Sequence, residues 1–373
     1  MAVWKLEDRA KEVLEVRKKI KEHGQHETNF CLVPFTTIIL EPDGQVGMCR
    51  HKGHNFPIGN IKNNTIAEIW NGPVAREWRR EFLEGKPLKC SKETSHRHCQ
   101  HCPENNKLLE YVEFAEVQTT PILKFTANFN GKCNLQCQFC DVWQLPNGLY
   151  NELNFWEPAK REIFPHLKEM DMLSGEPFIQ KDTYRLIDEV SEVNKACQWI
   201  FTTNMHWKLT DTIQSSLDKI FIKNIIFSVD SFIPETYAQI RHPGKLDFVL
   251  ANIATMQEYN SRRIGKGLNE VRFILNFLTQ KANWKEIGHA IDYCESRGII
   301  PLISFLYIPS KYSLLDCSDE EKMEMLDFYM NELSPKKTIQ AMKVITPLLD
   351  SLSPLNKASA LFALRDKLAG YSL

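Results

Sequence analysis

With 373 residues, 43% hydrophobic and 25% charged, the chain has room for two domains and the composition of an ordinary globular protein. A formal net charge of −1 supplies no overall field to draw in nucleic acid or an anionic membrane, and no apolar run approaches a bilayer span. The charged stretch from Met1 to Asp8 has no signal core, so the odd count of eleven cysteines predicts metal binding in the cytoplasm rather than disulfides.

Residues 4–22 set Leu6, Ala10, Val13, Leu14 and Val16 on or near one stripe, which predicts an amphipathic helix. A first cysteine region follows. Cys31 precedes a strand at Thr37-Ile38-Ile39-Leu40, a turn at Glu41-Pro42-Asp43-Gly44, and a returning strand that ends on Cys49. Thr65-Ile66-Ala67-Glu68 is a capping box, closed by Gly72 and Pro73, and a second helix runs from Val74 to about Leu83. Cys90, Cys99 and Cys102 come next, among His96, His98 and His101, which read as solvated loop residues.

From about residue 120, strands alternate with helices as in a βα-repeat barrel. Residues 123–129 alternate strictly, with Leu123, Phe125, Ala127 and Phe129 on one face and Lys124, Thr126 and Asn128 on the other. At the end of this strand lie Cys133, Cys137 and Cys140, spaced C-x3-C-x2-C. A βα barrel carries its chemistry at that end. Three thiols are one short of the four that close a structural zinc or an ordinary iron–sulfur site; a zinc knuckle with a distant fourth ligand, or three unrelated thiols, are the plainer alternatives. A strand at 170–173 runs into Ser174-Gly175-Glu176-Pro177, and another at 199–204 ends in Thr202, Thr203 and Asn204. In the strand at 225–230, Ser228 and Asp230 share a face, which packing alone explains poorly. The helix after it ends in Ile240-Arg241-His242-Pro243-Gly244. The last strands, at 273–277 and 301–307, offer Asn276, Ser304 and Tyr307 either to a substrate or to the core, and Cys197, Cys294 and Cys317 read as packing residues. Beyond Tyr307, Ser318 with Glu321, Ser334-Pro335 and Ser353-Pro354 each open a helix, so the tail predicts three.

The cysteine loop, with Phe139 just before its last thiol, resembles the cluster loop of the radical S-adenosylmethionine (radical SAM) superfamily. The resemblance implies a [4Fe–4S] cluster on Cys133, Cys137 and Cys140, with one open iron that chelates SAM. Ser174-Gly175-Glu176-Pro177 is similar to the family's Gly-Gly-Glu-Pro motif with Ser in the first position, and implies that Ser174, Gly175 and Glu176 hold the SAM ammonium. Thr203 matches the family's Thr-Asn motif, Ser228 is implied to touch the SAM ribose or carboxylate, and Arg241 to lie near that carboxylate. The first cysteine region resembles the SPASM/twitch auxiliary-cluster domains through Cys31, Gly44-x4-Cys49, Pro57–Ile61, Glu68-Ile69-Trp70 and Cys99-x2-Cys102. In that family the domain usually follows the barrel; here it precedes it. An auxiliary [4Fe–4S] cluster is implied on Cys31, Cys49, Cys99 and Cys102, with Cys90 the fifth candidate; four thiolates would satisfy zinc equally well.

The implied fold is α/β: an N-terminal helix (1–25), a twitch-like α+β domain (26–110), a partial (β/α)6 barrel (115–310) and a helical extension (311–373). The implied reaction is reductive cleavage of SAM to a 5′-deoxyadenosyl radical, with electrons from a donor such as flavodoxin or ferredoxin. That radical would abstract hydrogen from a peptide or protein side chain. The alternatives are a dehydrogenase or epimerase of a sugar, aminoglycoside or nucleotide, and a metal-binding module without catalysis.

Overall fold

The computed structural model describes residues 31–50, 56–88, 108, 111–369 and 371, and near the N-terminus residues 18, 21, 22 and 24. The helix expected over 4–22, the cysteines Cys90, Cys99 and Cys102, and His96, His98 and His101 lie outside the described residues as whole features.

Eleven strands are described: β1 (Thr37–Leu40), β2 (Gln45–Gly47), β3 (Gly59–Asn60), β4 (Lys124–Ala127), β5 (Gln136–Cys137), β6 (Glu169–Met172), β7 (Gln198–Thr203), β8 (Phe221–Ser228), β9 (Arg241–His242), β10 (Arg272–Thr279) and β11 (Ile300–Phe305). Nine form one sheet in the order β11-β10-β8-β7-β6-β4-β1-β2-β3. The six from β4 to β11 in that sheet are mutually parallel, each pair joined by helical crossovers, which is the partial barrel expected. The helix Lys181–Val193 shows why these crossovers form: Thr183, Leu186, Ile187 and Val190 recur at helical spacing and are buried, while the opposite face is charged.

The first hairpin does not build a sheet of its own. β1 runs parallel to β4, with Thr37 opposite Lys124 and Leu40 opposite Ala127, and β2 and β3 continue the sheet outward. Ile38, Leu40 and Val46 share one core with Phe125 and Ala127, so the hairpin covers an edge that the barrel would otherwise expose. This register has a consequence for the two cysteine regions. Cys31 comes before β1 and Cys49 comes after β2 has returned, so both lie toward the amino ends of β1 and β4. The loop of Cys133, Cys137 and Cys140 follows the carboxyl end of β4. Each strand residue advances about 3.3 Å, so the two regions are separated by at least the length of the strand.

The capping boxes are formed as the sequence predicts. Thr65 accepts from the Glu68 N–H and the Glu68 carboxylate accepts from the Thr65 N–H; Ser318 and Glu321 make the same pair. The tail holds four helices rather than the three expected: Asp319–Glu332, Pro335–Gln340, Met342–Ser351 and Pro354–Leu368. The extra break falls at Ala341, a buried residue with no glycine, proline or hydroxyl cap to mark it, whereas Pro347 sits inside a helix. Among the described residues no helix is long and apolar enough to cross a membrane.

Candidate functional site

Two faces of the barrel sheet differ. On β7, β8, β10 and β11 the outward residues, among them Phe201, Phe227, Phe277 and Phe305, are buried under helices. The alternate residues Ile200, Thr202, Ile226, Ile274, Asn276, Leu302 and Ser304 are only half-buried. Parallel sheets normally cover both faces, so a half-exposed inner row marks an open lumen. Ser304 Oγ and Asn276 Oδ1 lie 2.6 Å apart within it, while Tyr307 is exposed beyond the strand. Near the amino ends the lumen is charged but balanced. Lys124 and Lys223 both pair with Glu169, and Arg50, the residue after Cys49, reaches Asp171 on β6.

The cysteine loop lies at the opposite end, and protein donors meet its sulfurs. Asn204 Nδ2 is 3.6 Å and the Leu135 N–H 3.5 Å from Cys133 Sγ, and Arg241 Nη1 is 3.8 Å from Cys137 Sγ. Burial pushes all three thiols above their usual range, and each is raised further by the charge of another member of the trio. The three thus lie within electrostatic reach of one another. As free thiols they hold their protons, and a metal would have to displace them. Among the described residues no three His, Cys, Asp or Glu form a group that could hold one metal ion. Three thiols at this spacing are a donor set in which each thiolate could take a different iron. The donors aimed at sulfur fit a cluster as well, because hydrogen bonds to the ligating sulfurs stabilise the thiolates.

Glycines fix the loop's path. A Cβ at Gly131 would overlap the Val142 carbonyl, and one at Gly175, where φ is +58°, would overlap the Lys132 carbonyl. Gln180 then ties the two segments together, donating to the Lys132 carbonyl at 3.0 Å and the Ser174 carbonyl at 2.8 Å. Ser174 Oγ donates to the Asn130 carbonyl at 3.0 Å.

Two of the residues expected to meet SAM are held by protein partners. Glu176 has 0% exposed surface. Its carboxylate instead accepts from Thr203 Oγ1 at 2.9 Å, the Asn204 N–H at 2.7 Å and the Phe178 N–H at 3.2 Å. Thr203 is spent in the same network, since its oxygen accepts from Trp207 Nε1 at 2.8 Å and the Met205 N–H at 3.1 Å. Glu176 and Thr203 thus position Asn204, which reaches Cys133 and holds Asn134 Oδ1 at 2.9 Å. Arg241 is 6% exposed and bound to Asp230 rather than open to a ligand. Ser228 stands on β8 opposite Asn276 at the rim of the lumen, and Phe139 lies beneath the Arg241 guanidinium, 5.6 Å from ring centre to carbon. Cys197 and Cys294 are core residues, pushed up to about 12 by burial, and Cys317 packs at the core's edge.

Asn204, Gln180 and Asp230 were not assigned to the site from sequence. Asn204 and Asp230 each end an apolar strand, which is a usable signal; Gln180 carries none.

Glu176 yields a pH prediction. Burial raises its carboxyl to about 7 from an ordinary 4.5, against the hydrogen bonds that favour the anion. The folded state therefore keeps a proton that the unfolded chain releases earlier. The resulting stabilisation is complete below pH 4.5 and is lost as the pH rises through 7. Urea unfolding of the wild type and Glu176→Gln across this range should show their stability difference shrinking by roughly 3 kcal/mol. A difference that stays flat would mean that the Glu176 carboxyl titrates alike in the folded and unfolded chain.

Comparison with known proteins places these features in context. Residues 31–103 match SPASM, an iron-sulfur cluster-binding domain. The GTP 3′,8-cyclase of Hydrogenovibrio crunogenus is 26% identical over 175 residues, 45% of this chain and 50% of that protein. The probable GTP 3′,8-cyclase of Methanocaldococcus jannaschii is 25% identical over 197 residues, 50% of this chain and 59% of that protein. The chain thus spans about half the length of the curated relatives it matches. Among solved structures, Streptococcus suis SuiB bound to precursor peptide SuiA aligns at a TM-score of 0.42 and 13% identity, over 73% of this chain and 62% of that one.

Proposed function

We infer that this radical SAM protein, with a SPASM domain ahead of its barrel, reductively cleaves S-adenosylmethionine and directs the radical formed to a substrate in the barrel lumen. The observation that carries the reading is the place of Cys133, Cys137 and Cys140 in one loop beyond the carboxyl end of β4, with Asn204 and Arg241 donating to the sulfurs of Cys133 and Cys137. Cys133, Cys137 and Cys140 would hold a [4Fe–4S] cluster there, and its chemistry would be delivery of the electron that breaks the sulfonium bond of SAM. The protein's share is placement. Ser174 and Gly175 would offer backbone groups to the SAM ammonium, with Glu176 and Thr203 bracing the adjoining strand end, and Ser228 would meet the ribose or carboxylate. The half-buried row of Ile200, Ile226, Ile274 and Leu302 would keep water from the radical. The reductant would be a flavodoxin or ferredoxin.

For the substrate we favour a peptide or protein side chain. The basic residues on the six parallel strands are Lys124, Lys223 and Arg272; the first two pair with Glu169, and Arg272 is exposed at the amino end of β10. The polar residues nearer the cysteine loop, Thr202, Asn276 and Ser304, are neutral, which suits amide groups better than a triphosphate. The relatives named GTP 3′,8-cyclase favour the second reading, a nucleotide substrate. Anaerobic protein supplied with SAM and a reductant should release 5′-deoxyadenosine, detected by chromatography. Release stimulated by candidate peptides but not by GTP supports the first reading, GTP-dependent product the second, and no 5′-deoxyadenosine with intact clusters overturns both.

A further inference from the structure

Resting on the reading of Cys133, Cys137 and Cys140 as cluster ligands, we propose that Arg241, aimed by Asp230 at the Cys137 sulfur, is a positioning residue that sets the reduction potential of the loop cluster. This role goes beyond the contact to the SAM carboxylate that family resemblance implies for Arg241.

The loop and the arginine are joined twice. Through the backbone, β5 and β9 pair antiparallel, with Gln136 opposite His242 and Cys137 opposite Arg241. The Gln138 N–H extends the contact by donating to the Ile240 carbonyl at 2.9 Å. Through the side chain, Arg241 Nε and Nη2 each lie 2.7 Å from Asp230 Oδ2, and Nη1 lies 3.8 Å from Cys137 Sγ. A guanidinium is a rigid planar fork, so gripping the carboxylate with Nε and Nη2 fixes the direction of Nη1.

Asp230 cannot swing away. Its Oδ1 accepts from the Leu278 N–H at 3.0 Å, and its carbonyl accepts from Asn283 Nδ2 at 2.6 Å. Both side chains are almost wholly out of water, with relative exposures of 7% for Arg241 and 0% for Asp230. A guanidinium keeps its proton in proteins, and the buried Asp230 carboxylate is its counter-ion. Little of its surface is left to meet a ligand.

Reduction adds one negative charge to a cluster. A buried cation hydrogen-bonded to a ligating sulfur favours the reduced form, and a buried anion behind that cation opposes it. Removing Arg241 and neutralising Asp230 must therefore move the potential in opposite directions. A purely structural role would not produce that sign change.

The test is an electron paramagnetic resonance redox titration of full-length, anaerobically reconstituted protein without SAM. In Arg241→Met the midpoint of the SAM-responsive cluster should fall, and in Asp230→Asn it should rise. Arg241→Lys, which keeps the charge but not the fork, should fall less than Arg241→Met, and the auxiliary cluster should not move. If Arg241→Met loses the loop iron, the Lys and Asn variants still decide the sign. Unmoved midpoints in variants that retain iron, or shifts of one sign, overturn the proposal. So does weakened SAM binding in Arg241→Met at an unchanged midpoint, since that is the behaviour of a carboxylate contact. A wild type with no SAM-responsive cluster overturns instead the reading on which the proposal rests.

Discussion

Replacing Cys133, Cys137 and Cys140 together with alanine should abolish 5′-deoxyadenosine formation and remove about half of the iron and sulfide, if each of two sites holds a four-iron cluster. Three thiolates leave one iron accessible, and only a cluster of that kind can bind SAM and pass an electron by direct contact. The remaining cluster, which we assign to four of Cys31, Cys49, Cys90, Cys99 and Cys102, should be closed and unresponsive to SAM. Its survival is expected on structural grounds, because Cys31 and Cys49 lie toward the amino end of β4 whereas the loop follows the carboxyl end. Neither site shares a described element end with the other, so emptying one should leave the other in place. Metal and sulfide analysis gives the stoichiometry, and paramagnetic resonance with and without SAM identifies which cluster remains. A triple variant that keeps its full iron, or still cleaves SAM, would place the chemistry elsewhere. Stoichiometric zinc without sulfide in that variant would instead mark the first cysteine region as a structural zinc site.

Asp230→Ala should be the most destabilising single change at the site, by roughly 3–5 kcal/mol, because it leaves a buried arginine without its counter-ion. Asp230 also receives the Leu278 N–H, so the substitution orphans a backbone donor as well. The effect should spread to the cysteine loop, since β9, which carries Arg241, is the strand that pairs with β5. Urea unfolding measures the loss, and the iron retained after reconstitution measures the loosening of the loop. A stability within about 0.5 kcal/mol of wild type would show that Arg241 finds another partner or leaves the interior. Asp230→Asn, which keeps the volume and the carbonyl acceptor, should lose much less.

The strands of the barrel were legible because their signal is local. Residues 199–204 and 273–277 are short apolar runs bounded by polar residues, and a strand of this kind can be read without knowing its neighbours. The cysteine loop was legible for the same reason, since three thiols within eight residues need no tertiary contact to be brought together. The helix starts at Thr65 and Ser318 were equally clear, being decided by side chains three residues apart.

What the sequence by itself determined was therefore the strands of the barrel and the order of the motifs along the chain: a thiol loop after a strand, Ser174-Gly175-Glu176 after the next, and Ser228 and Asp230 after a later one. Tertiary structure alone decided the pairings between them. That β1 lies beside β4 follows from an apolar face on Ile38 and Leu40 meeting Phe125 and Ala127, residues 87 positions apart in each register pair. That Glu176 is enclosed by Thr203 and Asn204, and that Arg241 faces Cys137 across 104 residues, depends on how neighbouring strand ends converge at one end of the barrel. A motif specifies which groups are present. Whether a carboxylate or guanidinium meets a ligand or another side chain is decided by which buried partner satisfies it first, and those partners come from distant parts of the chain.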